Sequence, residues 1–130
     1  MIGYVTLGSN DLDKARAFYD QLMPVLGAGR MLEFGENFTM YGVGMGKPGI
    51  AVCAPYAGGE ATAGNGNMTA IACDTRDRVD ALYNKAIELG GSDEGPPGVR
   101  GDEGDQAFYG AYFRDLDGNK LCAFSIGPAA

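Results

Sequence analysis

No histidine occurs among the 130 residues, so chemistry that relies on an imidazole as base, proton shuttle or ligand is closed to this chain. A serine, histidine and acid triad cannot be assembled. A nucleophilic cysteine would lack its activating base, and Cys122 has no cationic neighbour in sequence except Lys120. Glu33 is the carboxylate best suited to act as a base or to bind a cation. Arg30, Arg100 and Arg114 are the cations most able to meet an anionic ligand. The ordinary reading of all four is solvated surface charge, and Arg114 stands just before a turn, where a solvated arginine is expected.

Two apparent motifs fail on physical grounds. Gly42-Val43-Gly44-Met45-Gly46-Lys47-Pro48 has the glycines of a phosphate loop. Such a loop needs Ser or Thr after the lysine and a helix to follow, whereas Pro48 opens a β-like run. Asp115-Leu116-Asp117-Gly118-Asn119 begins like a calcium-binding loop, but its glycine is misplaced and no Glu stands at the twelfth position. Cys53, Cys73 and Cys122 are odd in number, lie in β-like runs and form no C-x-x-C, so they read as reduced core or cavity residues. The sequons at Asn37 and Asn67 carry no weight without a secretory signal, and Met1–Ser9 has no such character.

Bulk properties narrow the partners. A net charge of −7 and a pI near 4.4, with no basic stripe, argue against a nucleic-acid binder. Acidity favours a cationic or neutral ligand over an anionic one. No apolar run reaches membrane-spanning length, so the expectation is a cytoplasmic protein without membrane or nucleic-acid partners. The length fits a single domain, 1–130, and 22 glycines imply many turns and close backbone approaches.

The elements that would position these residues come in two copies. Gly3–Gly27 slides onto Asn67–Gly91, aligning Asp13 with Asp77, Ala17 with Ala81, Tyr19 with Tyr83 and Gly27 with Gly91. Two copies fit duplication of a half-domain better than a solenoid. In the first, Ile2–Gly8 reads as a strand with Val5 and Leu7 on one face and Tyr4 and Thr6 on the other. Asn10 can cap a helix whose stripe runs Leu12, Ala15, Phe18, Tyr19, Leu22 and Leu26 and which Gly27 closes. Runs at Arg30–Phe34, Phe38–Val43 and Gly49–Ala54 suit antiparallel hairpins, giving βαβββ over 1–54. Residues 55–65 read as a linker.

The second copy, 66–130, repeats the plan. Met68–Cys73 is a strand, with Thr69, Ile71 and Cys73 alternating against Met68, Ala70 and Ala72. Asp74 is the capping residue, and Val79, Leu82, Tyr83, Ala86 and Leu89 form the helical stripe. A weak strand at Gly98–Gly101 precedes clearer ones at Ala107–Arg114 and Lys120–Ile126, the last two joined by the Asp117-Gly118 turn. About eight extra residues fall in Ser92–Gln106, a segment read as a solvated mobile loop, with a lid over a site as the second reading.

Paired βαβββ units of this size resemble the vicinal oxygen chelate superfamily, which includes glyoxalases, bleomycin-resistance proteins and extradiol dioxygenases. The stretches that carry the resemblance are Tyr4-Val5-Thr6-Leu7-Gly8 followed by Asp11-Leu12 and Phe18-Tyr19, then Gly64-Asn65-Gly66 before Met68, and Arg114 through Leu121. The last is similar to the family's Asp-Pro-Asp-Gly-Asn hairpin, with Leu116 in place of proline. The resemblance implies an α+β fold of curved mixed sheets around a cleft with the helices outside, usually as a dimer. It also implies that Tyr4, Met68 and Cys122 occupy positions where metal-dependent members present His, His and Glu, with the fourth position near Ile50 or Ala51.

Tyrosine, methionine and a single cysteine are poor ligands for Zn, Ni, Mg or Fe(II), so the expectation is no family-type metal and no other cofactor. Tyr4, Met68 and Cys122 then either pack inertly or line an apolar pocket with a polar handle. Of the strand aromatics Phe38, Tyr41, Tyr109, Tyr112 and Phe113, about half must face the helices, and Tyr41 and Tyr112 are read as polar-tipped cleft residues. Arg114 completes the candidate ligand-binding set. Three functions follow: a binding protein for a small, partly apolar molecule, acting as a homodimer; a glyoxalase-like or dioxygenase-like enzyme with unusual ligands or no metal; and an interaction module with a filled cleft.

Overall fold

The structure, a computed structural model, describes residues 1–129. The first half contributes β1 (Tyr4–Gly8), α1 (Leu12–Leu22), β2 (Gly29–Glu33), β3 (Phe38–Gly42) and β4 (Gly49–Cys53). The second contributes β5 (Thr69–Ala72), α2 (Arg76–Glu88), β6 (Ser92–Arg100), β7 (Phe108–Arg114) and β8 (Lys120–Ile126). Each half is one four-stranded sheet, in the order β1-β4-β3-β2 and β5-β8-β7-β6. The first strand of each pairs parallel with the last and the remaining pairs are antiparallel, so both sheets are mixed. The expected α+β pair of βαβββ units is therefore present.

Alternation fixes which side chains meet the helices. Leu7, Tyr41 and Val52 from the first sheet and Ala111, Phe113, Leu121 and Ala123 from the second join Phe18, Tyr19, Leu22, Val79, Leu82 and Ala86 of the helices in one apolar core. Both halves contribute to this one core. The other face of each sheet carries no helix.

Helix ends differ by a residue from the sequence reading. Asp11, not Asn10, caps α1 by accepting from the Lys14 amide at 3.2 Å. Asn10 is engaged elsewhere: its side chain bonds the linker at both the Ala61 amide (2.7 Å) and the Ala61 carbonyl (3.1 Å). Thr75, not Asp74, caps α2 through the Arg78 amide. The first helical stripe does not stay α-helical to Leu26. It tightens to a 3₁₀ turn at Met23–Leu26, next to Pro24, and ends at Gly27, whose φ of 72° is left-handed.

The segment read as a loop is mostly strand. β6 pairs with β7 from Ser92 to Arg100, with register shifts between Asp93 and Gly95 and between Gly95 and Gly98. Pro96 and Pro97 lack amide hydrogens, so an edge strand with bulges is the conformation open to them. Met68, expected as the first strand residue, lies just before β5.

Polar bonds join the halves at one corner. The Tyr19 hydroxyl of α1 donates to Asp115 at 2.7 Å, Asn119 Nδ2 donates to the Gly8 carbonyl at 2.9 Å, and Asp117 accepts from the Asn10 amide at 2.9 Å. Asp115 also accepts from the Asp117 and Asn119 amides and from Asn119 Nδ2, so the turn after β7 is closed around a buried carboxyl.

Candidate functional site on the helix-free sheet faces

The residues expected to line a cleft separate by face. Tyr4 lies on the helix-free side of β1, 54% exposed, with its ring edge-on to Phe38 at 6.0 Å. Met68 is 46% exposed beside the second sheet, and Cys122 is buried within that sheet between Ala70 and Tyr112. Tyr112 and Arg114 share this face. Tyr41 does not. It is buried under α1, its ring 5.9 Å from that of Tyr19 and its hydroxyl donating to Asp20 at 2.9 Å. Tyr41 is thus a core residue, because β3 turns Thr39 and Tyr41 inward and leaves Phe38 and Met40 on the helix-free side.

Arg30 and Glu33 also fall on the helix side. Arg30 chelates Asp20 with Nε and Nη2, at 2.8 and 2.9 Å, and reaches Glu33 at 3.1 Å. Arg30 and the Tyr41 hydroxyl hold the Asp20 carboxyl below its usual range. A depression of about 710 Å³ opens among Asp11, Arg16, Arg30, Glu33 and Glu36, but its arginines are already satisfied by Asp20, Glu33, Thr39 and the Glu36 carbonyl. A smaller groove of about 570 Å³ is lined by Asn65, Asn67, Met68, Arg114 and Lys120 at the rim of the second helix-free face. The smaller groove is the better candidate, since Lys120 on its wall makes no ion pair among the described residues.

Phe108 and Phe124, not singled out from sequence, complete the second face. Their rings stack 5.3 Å apart and 8° from parallel. Tyr112 lies under the Arg100 guanidinium at 5.4 Å and the Lys120 ammonium at 5.6 Å. Arg114 is ion-paired with Glu94 and donates to the Gly118 carbonyl at 2.8 Å. The alternation of β7 and β8 was readable, but the cross-strand pairing that stacks Phe108 and Phe124 depends on a register no local pattern supplies.

The family's metal positions can be tested against these donors. Val5 pairs with Ile50 as Thr69 pairs with Leu121, so the counterpart of Cys122 in the first sheet is Ala51, a methyl group. The four positions therefore offer an exposed phenol, a thioether, a methyl group and a buried thiol. Burial pushes the Cys122 thiol upward, with Tyr112, Arg100 and Lys120 opposing. This donor set does not fit a hard or borderline divalent ion. Among the described residues, no three His, Cys, Asp or Glu side chains come together as a metal-holding group.

The thiols are not poised as nucleophiles. Burial raises Cys53, and it pushes Cys73 up to about 11. All three cysteines are expected to alkylate slowly with iodoacetamide at pH 7.5, Cys122 slowest, with rates climbing as pH rises. Rapid labelling of Cys122 at neutral pH, read by peptide mass spectrometry, would contradict this geometry.

These features define a two-module α+β scaffold with helices on one side of each sheet and open aromatic faces on the other. A family model described as Glyoxalase/Bleomycin resistance protein/Dioxygenase superfamily matches residues 1–123, and the chain belongs to that superfamily. It is similar to a glyoxalase/bleomycin resistance protein from Albidiferax ferrireducens T118, with 34% identity and a TM-score of 0.84 over 96% of this chain and 98% of that one. A glyoxalase/bleomycin resistance protein/dioxygenase family enzyme from Burkholderia phytofirmans PsJN is 21% identical, with a TM-score of 0.69 over 95% of this chain and 97% of that one. A lactoylglutathione lyase from Agrobacterium tumefaciens is 20% identical, with a TM-score of 0.63 over 96% of this chain and 92% of that one. The last two likenesses speak for the fold alone. No curated protein matches the chain. No helix among the described residues is long and apolar enough to cross a membrane.

Proposed function

We propose that this protein binds a small, partly apolar molecule on its helix-free sheet faces without a family-type metal centre, as a cytoplasmic homodimer. The observation that carries the reading is the replacement of the metal donors by Tyr4, Ala51, Met68 and Cys122 on faces that keep exposed aromatic and thioether side chains. Such side chains supply adaptable apolar contact, and Tyr4 and Tyr112 add hydroxyl groups that can orient a ligand. Tyr4, Phe34, Met68 and Ile126 are all substantially exposed, and a second copy of the chain would cover the part of this apolar surface that a small ligand leaves open.

A thermal-shift screen against metabolites and antibiotics, run in chelator, tests the binding. Ligands are expected to raise the melting temperature of the native chain but not of Ala70→Trp, which fills the face beside Cys122. Equal shifts in both proteins would place binding elsewhere. Light scattering on the eluting protein should give twice the 13.6 kDa chain mass. A monomer at micromolar concentration would remove the dimer from the proposal.

A further inference from the structure

On the second helix-free face, Arg100 and Lys120 have no acidic partner among the described residues, although the chain as a whole is strongly acidic. Arg100, on β6, is fixed by backbone: Nη1 donates to the Gly98 carbonyl at 2.8 Å and Nη2 to the Pro96 carbonyl at 2.7 Å. A Cβ on Gly98 would sit 3.1 Å from Arg100 Nη1, so the absence of a side chain there lets the guanidinium lie along the strand. Lys120, on β8, makes no ion pair among the described residues. Glu94, whose carboxyl the Lys120 charge reaches, is taken by Arg114.

Both free cations lie over the same ring, that of Tyr112, and both act on the Cys122 thiol across the strand pair from it. Arg100 reaches this ring from β6 and Lys120 from β8, so the two charges border one patch centred on Tyr112. Arg100 starts opposite Phe108, which stacks on Phe124, and its guanidinium runs back along β6 to the level of Gly95, the register partner of Tyr112. Small residues floor the remainder: Gly110 lacks the side chain that would meet the Phe108 ring, Ala70 and Ala72 flank Cys122 and Phe124, and Phe108, Tyr112 and Phe124 are half-buried.

We propose that this patch is the head-group site of the ligand: a small organic anion whose carboxylate or similar oxyanion is held by Arg100 and Lys120 and whose flat apolar body covers the Phe108–Phe124 stack. The inference rests on binding at the helix-free faces and specifies its chemistry. It reverses the preference for a cationic or neutral ligand drawn from net charge, because the field at a site is set by the nearest charges, and those at long range are screened within about 8 Å at physiological salt. Arginine supplies a fixed two-pronged donor and lysine a mobile third contact, a pairing suited to planar oxyanions.

The test uses three probes of one shape, 1-naphthoate, 1-naphthylmethanol and 1-naphthylmethylamine, titrated calorimetrically into the native chain and into Arg100→Gln, Lys120→Gln and Arg30→Gln. Arg30 faces the helices and serves as the control. Naphthoate is expected to bind most tightly, to weaken about tenfold in each of the first two variants and to be unchanged in Arg30→Gln. Its affinity should also fall with added salt in the native chain and less so in Arg100→Gln. Equal binding of all three probes, insensitive to Arg100 and Lys120, would overturn the anion site while leaving apolar binding at the face intact. Preference for the amine would overturn it equally. If no probe binds at millimolar concentration, the head-group site and the binding reading fall together. Circular dichroism melts of the variants, whose altered side chains are solvent-accessible, separate loss of binding from loss of fold.

Discussion

Asp115→Ala is expected to destabilise the protein by about 3 to 4 kcal/mol, because it removes four hydrogen bonds from a buried site and strands their donors. Asp115 is 6% exposed and accepts from the Tyr19 hydroxyl, the Asn119 side chain and two backbone amides of its own turn. It joins the first helix to the second sheet, so its loss loosens the contact between halves as well as the turn. Tyr19→Phe removes only one of these bonds and should cost about 1 kcal/mol. Urea unfolding of the three proteins checks the order; equal stabilities for Asp115→Ala and the native chain would refute the role given to this corner.

The same carboxyl has an acid-side signature. Burial raises its pKa from the ordinary 3.8 despite the four donors, so between the unfolded and folded values the folded chain holds a proton that the unfolded chain has released. Its contribution is therefore fully present below the unfolded value and is lost as pH rises through the folded one. The stability gap between the native chain and Asp115→Asn should narrow as pH rises above about 4. Asp20, lowered first by its bonds to Arg30, has the opposite sign and loses its contribution as pH falls.

Tyr41→Ala should cost about 3 to 5 kcal/mol, the range for emptying an aromatic site in a core. The ring is 1% exposed, packs beside Tyr19 and carries a hydroxyl bonded to Asp20. Tyr41→Phe keeps the ring and should cost about 1 kcal/mol. Tyr112→Ala, on the opposite kind of face, should leave unfolding nearly unchanged and weaken ligand binding. Chemical denaturation beside calorimetric titration separates the two; a Tyr41 variant that loses binding at native stability would reverse the assignment of faces.

That assignment shows where the sequence was legible. β1 reads correctly because Val5 and Leu7 are apolar while Thr6 is not, so only one phase buries an apolar set. β3 does not read, since Phe38, Thr39, Met40 and Tyr41 give both phases one aromatic residue. Thr39 resolves the choice only in three dimensions, where Arg16 Nε donates to its hydroxyl at 2.9 Å and lets a polar side chain sit inside. β6 was hidden by Gly95, Pro96 and Pro97, whose local preferences favour a turn until pairing with β7 overrides them. The Asp115–Asn119 turn was visible as a hairpin. Its role as a tie was not, because Tyr19 is 96 residues away.

The duplication and the missing imidazoles were also plain, and they carry the main claim, that this scaffold binds its ligand without the metal its fold commonly holds. The most direct measurement is calorimetric titration of 1-naphthoate into chelator-treated protein, repeated after adding Zn, Ni or Fe(II) with elemental analysis of the same samples. The account predicts one affinity under all conditions and less than stoichiometric retained metal. Binding abolished by chelator and restored by one metal at a 1:1 ratio would contradict it.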